Sequence, residues 1–162
     1  MTVSGLSKTD VRILRELQKD GRISNVDLAE KVGMAPSPCL RRVKALQEKG
    51  MIDGYTARLN RKKLGLGVQA VCMVKLHDHA EEAVAQFVEA VTAMPEVTAC
   101  YSMTGRSDFM LMIYATDLEN YGRIATHRLL RLPNVQDVES GLVLEVLKGD
   151  SGLPLNHLSP AG

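Results

Sequence analysis

Arg41, Arg42 and Lys44 fall within four residues of one another, with Ser37 just ahead of them. Long cationic donors at this spacing suit a polyanion: ammonium and guanidinium groups bond phosphate oxygens, and arginine also reaches guanine edges with two parallel N–H donors. Ser37 would add a hydroxyl at the opening of a helix, beside the positive end of its dipole. The other chemistry-bearing residues are sparser. His77 and His79 lie two apart and could share a metal, but no third ligand accompanies them; surface histidines and no metal are the expectation. His127 and His157 are isolated. Cys39, Cys72 and Cys100 are widely spaced, odd in number and set in apolar patterns, which reads as buried thiols and not a disulfide or zinc framework. No strand-linked phosphate loop, nucleophile elbow or paired-carboxylate motif is present, so neither catalysis nor a cofactor is expected.

Three helix signals between Ser7 and Lys49 position the cations. Ser7 with Asp10 makes a capping-box pair, and Leu6 and Val11 stand where a hydrophobic staple closes the entry. Ser24 with Asp27, and Ile23 with Leu28, repeat the device for a second helix. The third helix has two candidate starts, since Pro36 and Pro38 both suit a first helical position. Past either start, Leu40, Val43 and Leu46 form the predicted inward stripe. Arg41, Ala45 and Glu48 then lie opposite, Arg42 and Lys44 flank, and Gly50 stops the helix. Three short helices with a basic last member are expected to fold as a helix-turn-helix reader of double-stranded DNA. Asp53-Gly54 marks a turn, and the alternation from Tyr55 to Leu59 predicts a short strand leading out of this winged-helix-like module.

The 162-residue chain has a formal net charge of only +1, yet residues 1–63 hold 14 Lys and Arg against 7 Asp and Glu, while residues 64–162 hold 6 against 12. A solvated basic face on a plain helical scaffold would not need such a division. A basic module drawn to DNA, with an acidic remainder held off it, would. No apolar run approaches the ~20 residues that span a bilayer, and no signal-peptide core precedes the first helix; a cytoplasmic protein without a membrane partner is expected.

The expected domains are a reader over 1–59, a hinge over 60–67, a second domain over 68–150 and a loosely held tail over 151–162. The basic run Arg61-Lys62-Lys63 in the hinge suits a phosphate contact or a solvated linker equally. Val68 to Leu76 reads as a strand buried on much of both faces, and Glu81 to Met94 as a helix with Ala83, Val84, Phe87, Val88 and Val91 inward. Val97 to Met103 and Phe109 to Ala115 form a hairpin around Thr104–Asp108. Asp117 caps a further helix running to about Leu132, with Leu118, Tyr121, Ile124 and Leu129 inward, and Val138 to Leu147 supplies the last strand. The order strand, helix, strand, strand, helix, strand is that of a ferredoxin-like βαββαβ sandwich, so the fold class is α+β. Cys72, Val74 and Leu76 would lie on one face of the sheet and Val71 and Met73 on the other, and the two helices cover only one of them. That open face cannot stay exposed, and a two-fold dimer would cover it while carrying two readers on one body.

Three segments carry a family resemblance: Gly21–Ala29, Pro38–Leu46 and Ile52–Ala57. They resemble the leucine-responsive and asparagine regulators of bacteria, the Lrp/AsnC family, as does Arg128–Val135 before the last strand. The likeness covers nearly the whole chain. It implies a transcription regulator whose second domain dimerises, assembles further to octamers and binds a small effector, a free amino acid. It also implies that Arg22, Ser24, Asn25 and Pro38 join Ser37, Arg41, Arg42 and Lys44 at the DNA. Carried over residue by residue, the effector site comprises Ser102, Met103, Thr104, Gly105 and Asp108, with Leu118, Gly141, Leu142 and Val143. Arg106 departs from the acidic residue frequent at its position and could pair a ligand carboxylate or bridge to a neighbouring subunit. Gly105 equally suits a tight hairpin turn. An architectural protein that bends DNA without a ligand is the alternative function.

Overall fold

The computed structural model describes residues 5–149 and 152–158. The chain divides into two compact units: the described residues of 1–58 together with those of 147–162, and residues 59–146.

The first unit is built on three helices, α1 (Lys8–Lys19), α2 (Asn25–Val32) and α3 (Pro36–Glu48). Local chemistry sets their starts. Ser7 Oγ accepts from the Asp10 N–H at 3.1 Å while Asp10 Oδ2 accepts from the Ser7 N–H at 2.9 Å, a complete capping box. Ser24 Oγ accepts from the Asp27 N–H in the same way, and Gly33 ends α2 in the left-handed region at φ 69°. Of the two starts open to α3, the chain uses Pro36, and Pro38 rides inside the first turn. Ile13, Leu14, Leu28, Ala29, Val32, Cys39 and Leu46 make the core. The predicted stripe of α3 needs correcting: Leu40 is 44% exposed and Cys39 fully buried. At 100° per residue this turns the buried face by roughly 40° from the predicted one.

Two further expectations about this unit change. Tyr55 to Leu59 forms no strand, because it has no pairing partner among the described residues and an unpaired strand leaves its backbone groups unmet. The tail is not loose over residues 152–158: Leu155 packs on the helical core, and the Gln18 amide bonds both the N–H and the C=O of Leu153.

The second unit is a four-stranded antiparallel sheet in the order β2-β3-β1-β4, from β1 (Val68–Leu76), β2 (Val97–Ser102), β3 (Phe109–Ala115) and β4 (Val135–Leu142), with helices α4 (Glu81–Thr92) and α5 (Leu118–His127). The ferredoxin-like expectation is borne out. Period-two alternation sends Ala70, Cys72, Val74 and Leu76 of β1 and Phe109, Leu111, Ile113 and Ala115 of β3 into the core with Phe87, Val91, Tyr121, Ile124 and Leu129. The Phe87 and Phe109 rings lie 4.8 Å apart, tilted by 44°. Within the core the Tyr121 hydroxyl meets Cys72 Sγ at 3.1 Å, and burial first, then this bond, pushes the phenol pKa up to about 12.

Three boundaries in this unit differ from expectation by two residues or more, and β2 ends one residue early, at Ser102. α4 stops at Thr92, two residues short of Met94. α5 ends at His127 and passes into a 3-10 turn at Leu129–Arg131, and its first residue, Leu118, is 62% exposed instead of inward. β4 starts at Val135 and ends at Leu142, because its ladder follows β1: Leu76 pairs with Val135, Ala70 with Leu142, and the Val143 N–H to Gln69 is the last rung. Leu144 and Leu147, predicted inside this strand, are 97% and 88% exposed.

Candidate nucleic-acid interface and ligand turn

On α3 the residues Ser37, Leu40, Arg41, Lys44 and Glu48 fall within an arc of about 100°, all exposed and all facing away from the core. Neither Arg41 nor Lys44 makes a hydrogen bond or ion pair through its side chain among the described residues. Arg42 differs. It stands on the shoulder of the buried face, and its Nη1 donates to Asp10 Oδ1 at 2.9 Å and to Ser7 Oγ at 3.2 Å. The guanidinium therefore ties α3 to the capping box of α1. Burial works against the ionised Asp10, but bonds from the Ser7 hydroxyl and backbone and from Arg42 outweigh it and hold the carboxyl below its ordinary value.

The first turn of α3 has no side-chain cap at Ala35, and two of its first three residues are prolines. Only Ser37 brings both a backbone N–H and a hydroxyl to this end. Asn25 supports the turn: its Nδ2 donates to the Pro36 carbonyl at 2.8 Å, binding the start of α2 to the start of α3. Ser24 is occupied by its capping role. Arg22 lies on an open cleft lined by Asp20, Ser24, Asp27, Glu30 and Lys31, and its backbone N–H donates to Asp20 Oδ1. Of the eight residues expected at DNA, Arg41, Lys44, Ser37 and Arg22 are thus chemically open, Arg42, Asn25 and Ser24 hold the motif in shape, and Pro38 lies half-buried in the first turn of α3.

In the second unit the residues expected at an effector split into two groups. Ser102 to Asp108 form the β2–β3 turn, beside the end of β1 where Phe109 pairs with Val74. Gly141 and Leu142 pair with Val71 and Ala70 near the start of β1, and Leu118 follows the end of β3 there. At about 3.3 Å per residue the two groups stand ~13–20 Å apart along the sheet. One copy does not bring them together.

Asp108 organises the turn. Its Oδ2 accepts from the Leu76 N–H at 2.8 Å, its Oδ1 lies 2.9 Å from His79 Nε2, and its backbone N–H donates to the Val74 carbonyl. The Leu76 bond first, then His79, keep the carboxyl below its ordinary value. Gly105 sits at φ 116°, where a side chain would be strained, and the Met103 N–H closes the turn onto the Asp108 carbonyl at 2.8 Å. Met103, Thr104 and Arg106 are exposed. Sequence reasoning missed the His79–Asp108 pair, because nothing at a separation of 29 residues signals it. It also missed Asn134, at φ 64°, whose side chain closes the loop after β1 by bonding the Asp78 N–H and carbonyl. Among the described residues no group of three His, Cys, Asp or Glu side chains could hold a metal.

Two family models match this chain: a winged helix-turn-helix DNA-binding model over residues 6–53, and the Lrp/AsnC ligand binding domain over residues 69–153. The chain belongs to the Lrp/AsnC family. This Lrp/AsnC protein is 37% identical over 153 residues to the transcriptional regulator AzlB of Bacillus subtilis, covering 94% of this chain and 98% of that protein. It is 39% identical over 148 residues to the leucine-responsive regulatory protein of Escherichia coli, covering 91% and 90%. A transcriptional regulator of Neisseria meningitidis, solved as its L-Met complex, matches at 40% identity with a TM-score of 0.91, covering 95% of this chain and 99% of that one. An AsnC family regulator of Agrobacterium tumefaciens matches at 31% with a TM-score of 0.88, covering 94% and 99%. The Lrp/AsnC chain is therefore a DNA-binding transcription regulator, not an enzyme. Among its described residues no helix is long and apolar enough to cross a membrane.

Proposed function

We propose that this regulator sets Ser37, Arg41 and Lys44 of α3 into the major groove of double-stranded DNA, with Arg22 and Pro38 at the margin of the contact. Arg42, Asn25 and Ser24 act as positioning residues. The observation that carries the reading is the outward arc of α3, where two long cations have no internal partner among the described residues while the third is already bonded to α1. The basic excess of residues 1–63 supplies the long-range attraction.

The second domain takes a free amino acid. Support comes from the L-Met bound to a relative 40% identical along nearly its whole length. The pocket is completed between copies: one contributes the turn with Ser102, Met103, Thr104, Gly105, Arg106 and Asp108, another the strand end with Leu118, Gly141, Leu142 and Val143. The split of these groups to opposite ends of one sheet favours such a shared site. The open sheet face, with Val71, Met73, Met110 and Met112 half-buried on it, pairs with a second copy to make the dimer, and further contacts build toward an octamer.

A duplex selected by the wild-type protein from a random-sequence pool tests the reading. Arg41→Ala is expected to weaken binding by fluorescence anisotropy about ten- to a hundredfold, in line with loss of one base contact. L-Met is expected to raise the thermal midpoint at fixed protein concentration, as a ligand confined to the folded state must. Unchanged affinity in Arg41→Ala defeats the α3 assignment, and no shift with L-Met or the branched-chain amino acids defeats the effector assignment.

A further inference from the structure

Residues 152–158 follow the ligand-binding domain in sequence yet pack with the first unit. The helix-turn-helix match ends at residue 53 and the ligand-domain match at residue 153, so most of this segment lies outside both. Four independent features make the seat. Gln18 Oε1 accepts from the Leu153 N–H at 2.6 Å and Gln18 Nε2 donates to the Leu153 carbonyl at 3.2 Å, so one amide side chain reads one backbone residue as a strand neighbour would. Gly152 adopts φ 85°, and a Cβ there would stand 2.8 Å from Gln18 Oε1 and 3.3 Å from Gln18 Cβ. Gln18 could yield only by giving up its bonds to Leu153. Leu155 packs among the core side chains of the helices. Arg15 Nη2 donates to Asn156 Oδ1 at 3.3 Å, just as the chain turns into a 3-10 helix at Asn156–Leu158. With the segment in place, an apolar space of about 300 Å³ remains between Leu6, Leu14 and Met51 and the segment's own Pro154, Leu155 and Leu158.

α1 is the bar on which the reader hangs. Its N-terminal end holds α3 through Asp10, Ser7 and Arg42, and its middle holds α2 through Arg12 to the Lys31 carbonyl and Glu16 to Lys31. The segment 152–158 grips the middle and the C-terminal turn of the same helix, at Leu14, Arg15 and Gln18.

We propose that the seating of the chain's own Gly-Leu-Pro-Leu-Asn-His-Leu segment, residues 152–158, on α1 is a clasp that sets the DNA affinity of α3 without touching DNA. It rests on the reading of α3 as the DNA-contacting helix. Because the chain leaves the second unit after Val146 and continues into this segment, the two units are joined covalently a second time, besides the junction at residues 58–59.

Three full-length variants test it: Leu155→Ser, Gly152→Val and Gln18→Ala. Hydrogen exchange of the amides of Leu14 and Leu17 is expected to speed up at least tenfold in Leu155→Ser and Gly152→Val, and less in Gln18→Ala. Affinity for the pool-selected duplex is expected to fall about three- to tenfold, with the dependence on salt unchanged because no phosphate contact is lost. Wild-type exchange in both Leu155→Ser and Gly152→Val overturns the clasp. Faster exchange with unchanged duplex affinity overturns its control of DNA binding. Should Arg41→Ala also bind like wild type, the fault lies with the α3 assignment, and exchange in α1 still decides the docking.

Discussion

Arg42 shows how the fold gives a cation a structural partner that its residue type does not announce. On sequence it is one of three cations on a basic helix; in the structure its guanidinium is bonded to Asp10 and Ser7. The pairing has a pH signature. Asp10 has a folded pKa below its ordinary 3.8, so its contribution is fully present above that value and is lost as pH falls through the depressed one. Urea unfolding between about pH 5 and 2 should therefore show a fall in stability that Arg42→Gln flattens, by about 0.5–1 kcal/mol given that the guanidinium is 43% exposed. Parallel acid profiles for the two proteins would contradict the pair. Asp108 is a similar case. A turn carboxylate of open purpose on sequence, it is bound in the fold to Leu76 and His79, so a ligand ammonium reaching it must share an acceptor already in use.

For the elements, signals confined to four or five residues proved legible. The capping pairs of α1 and α2 and the strands β1 and β3 stand where local chemistry puts them. The phase of α3 did not. Cys39 and Leu40 are adjacent apolar residues, and a short helix with few apolar positions fits a stripe through either; packing against Ile13 and Leu28 decides for cysteine. Cys39→Ser should cost about 1–2 kcal/mol, because a hydroxyl enters a fully buried site, while Leu40→Ser should stay within about 0.5 kcal/mol. Denaturant midpoints of the two variants check this, and the reverse order would restore the predicted phase. The end of β4 was illegible for another reason: apolar residues continue through Leu147, but a strand extends only as far as a neighbour offers backbone groups.

Across the whole molecule, the open sheet face sets the expectation for assembly. Tyr101, Met110, Met73 and Glu139 form one cross-strand row, and Ala99, Met112, Val71 and Gly141 the next. The second row is apolar throughout and central, so a charge there opposes any face-to-face pairing. Met112→Glu is expected to shift the sedimentation-equilibrium mass toward a single chain while leaving far-UV circular dichroism unchanged, since the residue points away from the helices. A wild-type mass distribution in that variant would assign the dimer to another surface. Fold class, the two-part division of charge and the helix-turn-helix triplet with its basic third helix were determined by the sequence itself, because they depend on neighbours in the chain and on composition. Only the tertiary structure decided which face of α3 is free, what holds Arg42 and Asp108, where β4 stops, that the two effector groups lie at opposite ends of one sheet, and that residues 152–158 return to α1. Each of these joins groups distant in sequence or depends on a neighbouring element, and no local propensity encodes which of the many possible long-range partners wins the packing.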